Sequence, residues 1–69
     1  MNLYEVLGGL DDDTILHDTN NETDITVREL ATSGDSDLGE PAVLENGEIF
    51  FATEDGEAID PSEPAYIVK

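Results

Sequence analysis

A net charge of −16 on a chain of 69 residues limits what this polypeptide can fold into more than any other feature. Eighteen aspartates and glutamates face two basic side chains, Arg28 and Lys69, and one histidine, His17. A chain this short makes one domain, residues 1–69, and buries only about 60% of the surface its unfolded form exposes. Folding brings the carboxylates together around a marginal core. At about 0.15 M salt the Debye length is roughly 8 Å and neighbouring carboxylates still repel; at 1 M it is about 3 Å and most of that repulsion is gone. Small domains usually add a disulfide, a metal or a partner. The sequence has no cysteine, which removes disulfides, thiolate metal sites and cysteine nucleophiles. A persistent shape then requires salt or a companion surface.

The same charge excludes direct binding to nucleic acid or to an anionic membrane. No apolar run approaches the roughly 20 residues of a membrane span, and the N-terminus lacks the basic start and long apolar stretch of a signal peptide. The expected location is the cytoplasm, or a particle such as a virion that the protein joins. Three readings of the acidity compete. Near-total replacement of lysine by acids makes the composition similar to that of haloarchaeal proteins and their viruses. Alternatively, the carboxylates imitate DNA phosphates and occupy a nucleic-acid-binding protein. High charge with modest hydrophobicity also fits a disordered chain.

Apolar segments alternate with acidic, Gly- and Asn-containing connectors. The clearest local signal is Asn46-Gly47 between Ala42–Glu45 and Glu48–Phe51. A two-residue type I′ turn needs positive φ at both central positions, which Asn-Gly tolerates. The predicted hairpin pairs Glu45 with Glu48, Leu44 with Ile49, Val43 with Phe50 and Ala42 with Phe51. Paired residues share a face, so Ala42, Leu44, Ile49 and Phe51 form one face, and Val43, Phe50, Glu45 and Glu48 the other. Both faces are partly apolar, and a chain this small has little material to cover both.

Further strands are expected at residues 14–17, 25–27 and 65–68, the last leaving an open outer edge. Residues 2–7 carry helical spacing but only one and a half turns before Gly8-Gly9, which favours strand or irregular structure. Residues 28–31 extend the second strand or turn into a short helix. Asp11-Asp12-Asp13, residues 18–24, 32–40 and 53–62 read as turns and loops. The fold class is mostly β, about four to five short strands around the 42–51 hairpin. One short helix at 2–7 or 28–32 would make it α+β.

Residues 18–29 resemble an EF-hand calcium loop. Asp18, Asn20 and Glu22 take its first, third and fifth positions, Asp24 the seventh, Ile25 the apolar eighth, and Glu29 the bidentate twelfth. The glycine required at the sixth position is Thr23 here, and no long helix precedes Asp18, so a solvated turn between strands is the favoured reading. Asp11–Asp13 and Asp35-x-Asp37 read as solvated charge runs that hold hydrated cations loosely. Neither a metal nor a cofactor is expected.

His17 has no serine or cysteine partner in a recognisable motif. Ser33, Ser36 and Ser62 sit in loops, and no nucleophile elbow or phosphate-cradling loop exists. The chain reads as non-enzymatic. Tyr4, Phe50, Phe51 and Tyr66 suit core packing first. Tyrosine and phenylalanine also anchor interfaces, so Val43, Phe50, Tyr4 and Tyr66 are the candidate partner-binding residues, for another protein or a second copy. The expected function is a small acidic accessory component of a larger assembly in a halophilic setting, with a minor capsid- or tail-associated virion protein as one form of it. The alternative is a DNA-mimic inhibitor of the anti-restriction or anti-CRISPR type.

Overall fold

Asn2 starts a helix where the sequence favoured strand or irregular structure. The computed structural model, which describes residues 1–33 and 36–69, places an α-helix, α1, at Leu3–Gly8. The Asn2 side chain accepts the Glu5 N–H at 2.8 Å, the bond of an N-cap. Leu3, Val6 and Leu7 are buried on one side. Six residues are too few for a helix in isolation. Burying leucine or valine is worth about 1.5–3 kcal/mol per side chain, and that packing holds the helix. Gly9 follows it and donates its N–H to the Val6 carbonyl at 3.2 Å.

The next two strands are β1, Ile15–Asp18, and β2, Thr23–Thr26. The second begins two residues before the expected 25–27, and Val27 already belongs to a helix. Thr26 causes the switch. Its hydroxyl accepts the Glu29 N–H at 3.1 Å and caps α2, Val27–Thr32; Thr-x-x-Glu before an apolar residue is an N-terminal helix signature. The structure therefore has both short helices that the sequence offered as alternatives. Thr26→Ala is expected to remove about 1 kcal/mol, seen as a melting temperature lower by about 4–8 °C for a domain this size. Circular dichroism melts would check it, and an unchanged midpoint would contradict the capping role.

A 3₁₀ turn at Ser36–Gly39 leads to β3, Ala42–Glu45, and β4, Glu48–Phe51. These two pair in the register read from the sequence. Asn46 and Gly47 have φ of 55° and 79°, so the turn needs both residues as they are. The Asp35-x-Asp37 pair lies outside the described residues and side chains. The final strand is β5, Tyr66–Val68.

All five strands form one antiparallel sheet in the order β2-β1-β5-β4-β3. The last strand was expected at an open edge, and it lies at the centre. The 52–65 connector returns the chain so that Ile67 pairs with His17 on one side and Glu48 on the other. Insertion there satisfies the backbone of β5 on both sides. The edges are β2 and β3, and Asn2 shields the start of β3 by bridging to Pro41.

The register assigns the sheet faces. Leu16, Ile25, Ala42, Ile49, Phe51, Tyr66 and Val68 share the inner face, and each joins or packs against the main apolar cluster. Leu3, Val6 and Leu7 of α1, Val27 and Leu30 of α2, and Leu38 cover that face. The result is two layers, with helices on one side of a sheet. No charged residue is buried among the described residues, so the carboxylates there all meet solvent.

Candidate partner-binding surfaces

The outer face is built by residues that alternate with the core positions. In register, Val43 pairs with Phe50, His17 with Asp24 and Ile67, and Glu45 with Glu48. Val43 and Ile67 are half-buried and Ile15 is exposed. Phe50 has 7% of its surface exposed yet lies outside the main apolar cluster, so it forms a second apolar contact on the opposite side of the sheet. No helix is long and apolar enough to cross a membrane among the described residues.

The side chains of His17 and Lys69 converge on Asp24 here, on a face that also carries Glu45 and Glu48. His17 Nδ1 lies 3.0 Å from Asp24 Oδ1, and Lys69 Nζ donates to Asp24 Oδ2 at 3.0 Å. Arg28 meets Asp13 at 3.4 Å near the end where β1 begins. The hydrogen bond from His17, and then that from Lys69, holds the Asp24 carboxyl below its ordinary value. The sign follows from linkage. A carboxylate whose folded pKa is depressed contributes stability above its unfolded value of about 3.9 and loses it as pH falls through the folded pKa. A carboxylate NMR titration is expected to place Asp24 below about 3.9 and to move it upward in Lys69→Met. An unshifted Asp24 in the native chain would show that the cluster does not form in solution.

Of the four aromatic and apolar candidates, Val43 and Phe50 are neighbours on the outer face, but Phe50 is buried with 7% of its surface exposed, which leaves the half-buried Val43 accessible there. Tyr4 stands apart on α1, 60% exposed. Tyr66 is 6% exposed and belongs to the main cluster, so its ring is not on the surface of the free chain. The four do not form one patch.

The calcium-loop residues are not brought together either. Asp18 pairs with Thr23 and faces one side of the ribbon; Asp24 pairs with His17 and faces the other. Asp18 Oδ1 accepts the Asn20 and Asn21 N–H groups at 2.9 and 3.2 Å, and its Oδ2 accepts from Asn21 Nδ2 at 2.9 Å. Glu22 occupies a turn position with φ of 53°, and Glu29 belongs to α2 beyond the far end of β2. A hairpin turn replaces the loop because β1 and β2 pair directly up to Asp18 and Thr23. Calcium needs six to eight converging oxygens, and these diverge. No grouping of three acids or histidines suited to a metal occurs among the described residues.

One concave site is assembled from segments that sequence reasoning did not connect. Asn20, Glu40, Phe51, Ile59, Asp60, Glu63, Pro64 and Ala65 line a cleft of about 290 Å³. It sits at the end of the sheet where β1 stops and β5 starts. The Thr19 hydroxyl donates to the Pro64 carbonyl and, at 3.2 Å, to that of Ala65, which ties the β1–β2 turn to the 52–65 connector. The Asp60 Oδ1 accepts the Ser62 N–H at 3.1 Å and the Ser62 hydroxyl at 2.6 Å. Those bonds, the hydroxyl's foremost, hold the Asp60 carboxyl below its usual value. The sequence signals that point there are Asp60-x-Ser62, a local Asx-type turn, and Ile59 as an isolated apolar residue in an acidic stretch.

The chain matches no family model, no curated protein and no solved structure.

Proposed function

We propose that this protein is a non-enzymatic accessory component of a larger protein assembly in a high-salt setting, docked through the outer face of its sheet; a minor virion protein is the specific form we favour. The observation that carries this reading is the one-sided cover of the sheet. Helices pack on the inner face, while the other presents Val43 and Ile67, both half-buried, and the exposed Ile15, with Phe50 buried beneath them. That face also holds His17 and Lys69 against Asp24, beside the carboxylates of Glu45 and Glu48. Where Lys69 already pairs with a carboxylate, another protein meets less electrostatic opposition than on the unpaired acidic surface. A stable interface buries roughly 800 Å² on each partner, nearly a fifth of the 4440 Å² this molecule exposes. Such a partner would add substantially to a marginal core.

The test is recovery of the tagged chain from its native host at the host's own salt. A stoichiometric protein partner, retained by the native chain and lost with Val43→Glu, supports the reading, provided the variant keeps the native circular dichroism spectrum. Recovery as a free monomer overturns it. Recovery with a nucleic-acid-binding protein that duplex DNA displaces would establish the DNA-mimic alternative instead.

A further inference from the structure

The two ends of the sheet differ in charge. Arg28 and Lys69 lie towards the end where β1 begins, bonded to Asp13 and Asp24. The opposite end carries Asp18 and Glu22 of the first turn, Glu40 before β3, and the five carboxylates of the 52–65 connector. Among the described residues no lysine, arginine or histidine lies in those segments. The cleft opens at this end. Its lining combines apolar Phe51, Ile59, Pro64 and Ala65 with the carboxylates of Glu40, Asp60 and Glu63 and the amide of Asn20.

We propose that this cleft seats an arginine side chain of a basic partner protein. At about 290 Å³ it lies at the lower limit of ligand pockets, roughly 300–1,000 Å³, so it suits one long side chain better than a nucleotide or an organic cofactor. An occupant must cover apolar lining and meet carboxylates. Arginine does both: its stem lies along apolar surface while its head reaches polar groups. The guanidinium also stacks on an aromatic ring and pairs with carboxylates through a planar fork. Lysine has the charge without the plane, and its ammonium is more strongly hydrated. Phe51 supplies the ring and is half-buried. Asp60 is fixed by Ser62, which lowers the ordering required on binding. Ile59 is 65% exposed beside acidic neighbours, a placement that solvent alone does not favour and that an occupant's stem would cover. The cleft is separate from Val43 and Ile67 on the outer face, so this proposal goes beyond the outer-face reading and does not depend on it.

The probe is the capped pentapeptide Ala-Ala-Arg-Ala-Ala, titrated into the labelled full chain and followed by amide NMR. The KCl concentration is the lowest that keeps the native spectrum. The neutral isostere with citrulline in place of arginine is the control. Saturable shifts at Phe51, Ile59, Asp60 and Ala65 are expected with arginine and not with citrulline. Glu63→Gln and Ile59→Ser should each weaken binding by at least about threefold, as befits loss of a partly exposed ion pair or apolar contact. Glu45→Gln makes the same charge change at the far end and should leave the affinity within about twofold. The proposal fails if no saturable shifts occur or if citrulline binds as well. It fails equally if Glu45→Gln weakens binding as much as Glu63→Gln while Ile59→Ser has no effect, since diffuse attraction to an acidic body would then explain everything.

Discussion

Leu16→Ala is expected to leave most of the isolated chain unfolded in dilute buffer at 25 °C. Leu16 has no exposed surface and sits on β1, paired with Ile25 on one side and Val68 on the other. Removing such a side chain costs about 2–5 kcal/mol, the transfer term plus the cavity left behind. Domains are stable by roughly 0.05–0.15 kcal/mol per residue, which for this length is about 3–10 kcal/mol, and the unpaired carboxylates place it low in that range. One truncation at the centre of the sheet therefore removes most of what the fold has. The neighbouring Ile15→Ala is the matched control. Ile15 lies on the outer face and is exposed, so its loss should cost under about 1 kcal/mol. Urea unfolding of the two variants would separate them. Equal midpoints would mean that the assignment of inner and outer faces is wrong.

Transfer from dilute buffer to molar KCl should raise the melting temperature by at least about 10 °C, a shift that for a domain this size corresponds to roughly 2 kcal/mol. The ion pairs of the described residues engage Asp13 and Asp24. The other carboxylates of the described residues occupy the surface of a body measuring 29 × 20 × 19 Å, small enough that a Debye length of roughly 8 Å at 0.15 M salt leaves neighbours repelling. Unfolding lets them separate, so repulsion favours the unfolded chain. Screening to about 3 Å at 1 M removes most of that bias. Sucrose at matched osmolality is the control. It strengthens burial through exclusion from the surface but does not screen charge, so its effect should be the smaller. A chain equally stable from dilute buffer to molar KCl would remove the halophilic part of the proposed function while leaving the docking face untouched.

The two experiments bear on each other. If salt restores the native spectrum of Leu16→Ala, core packing and charge repulsion act as opposing terms of similar size. A bound partner would act in the same direction as salt, since anything that binds the folded state alone stabilises it by mass action.

The hairpin at 42–51 was legible in the sequence, including its register, because its determinants are local. Asn46 and Gly47 adopt positive φ, and a two-residue turn leaves one way to pair the flanking residues. The two faces of that hairpin follow from alternation, which by itself puts Val43 and Phe50 side by side. Charge is equally local: the count of carboxylates decides that most remain solvated wherever they fall. What the tertiary structure decided were the elements whose stability is borrowed. Residues 3–8 have too few turns to be helical alone, and only the cluster that receives Leu3, Val6 and Leu7 makes them so. Tyr66–Val68 reads as a strand in isolation, but nothing local says that it enters the centre of the sheet; that depends on where the 52–65 connector delivers it. The cleft draws on the 19–22 turn, Glu40, β4 and the connector, segments far apart in the chain. Patterning within a window can specify a turn or a face, whereas a concavity exists only once distant segments have been packed side by side.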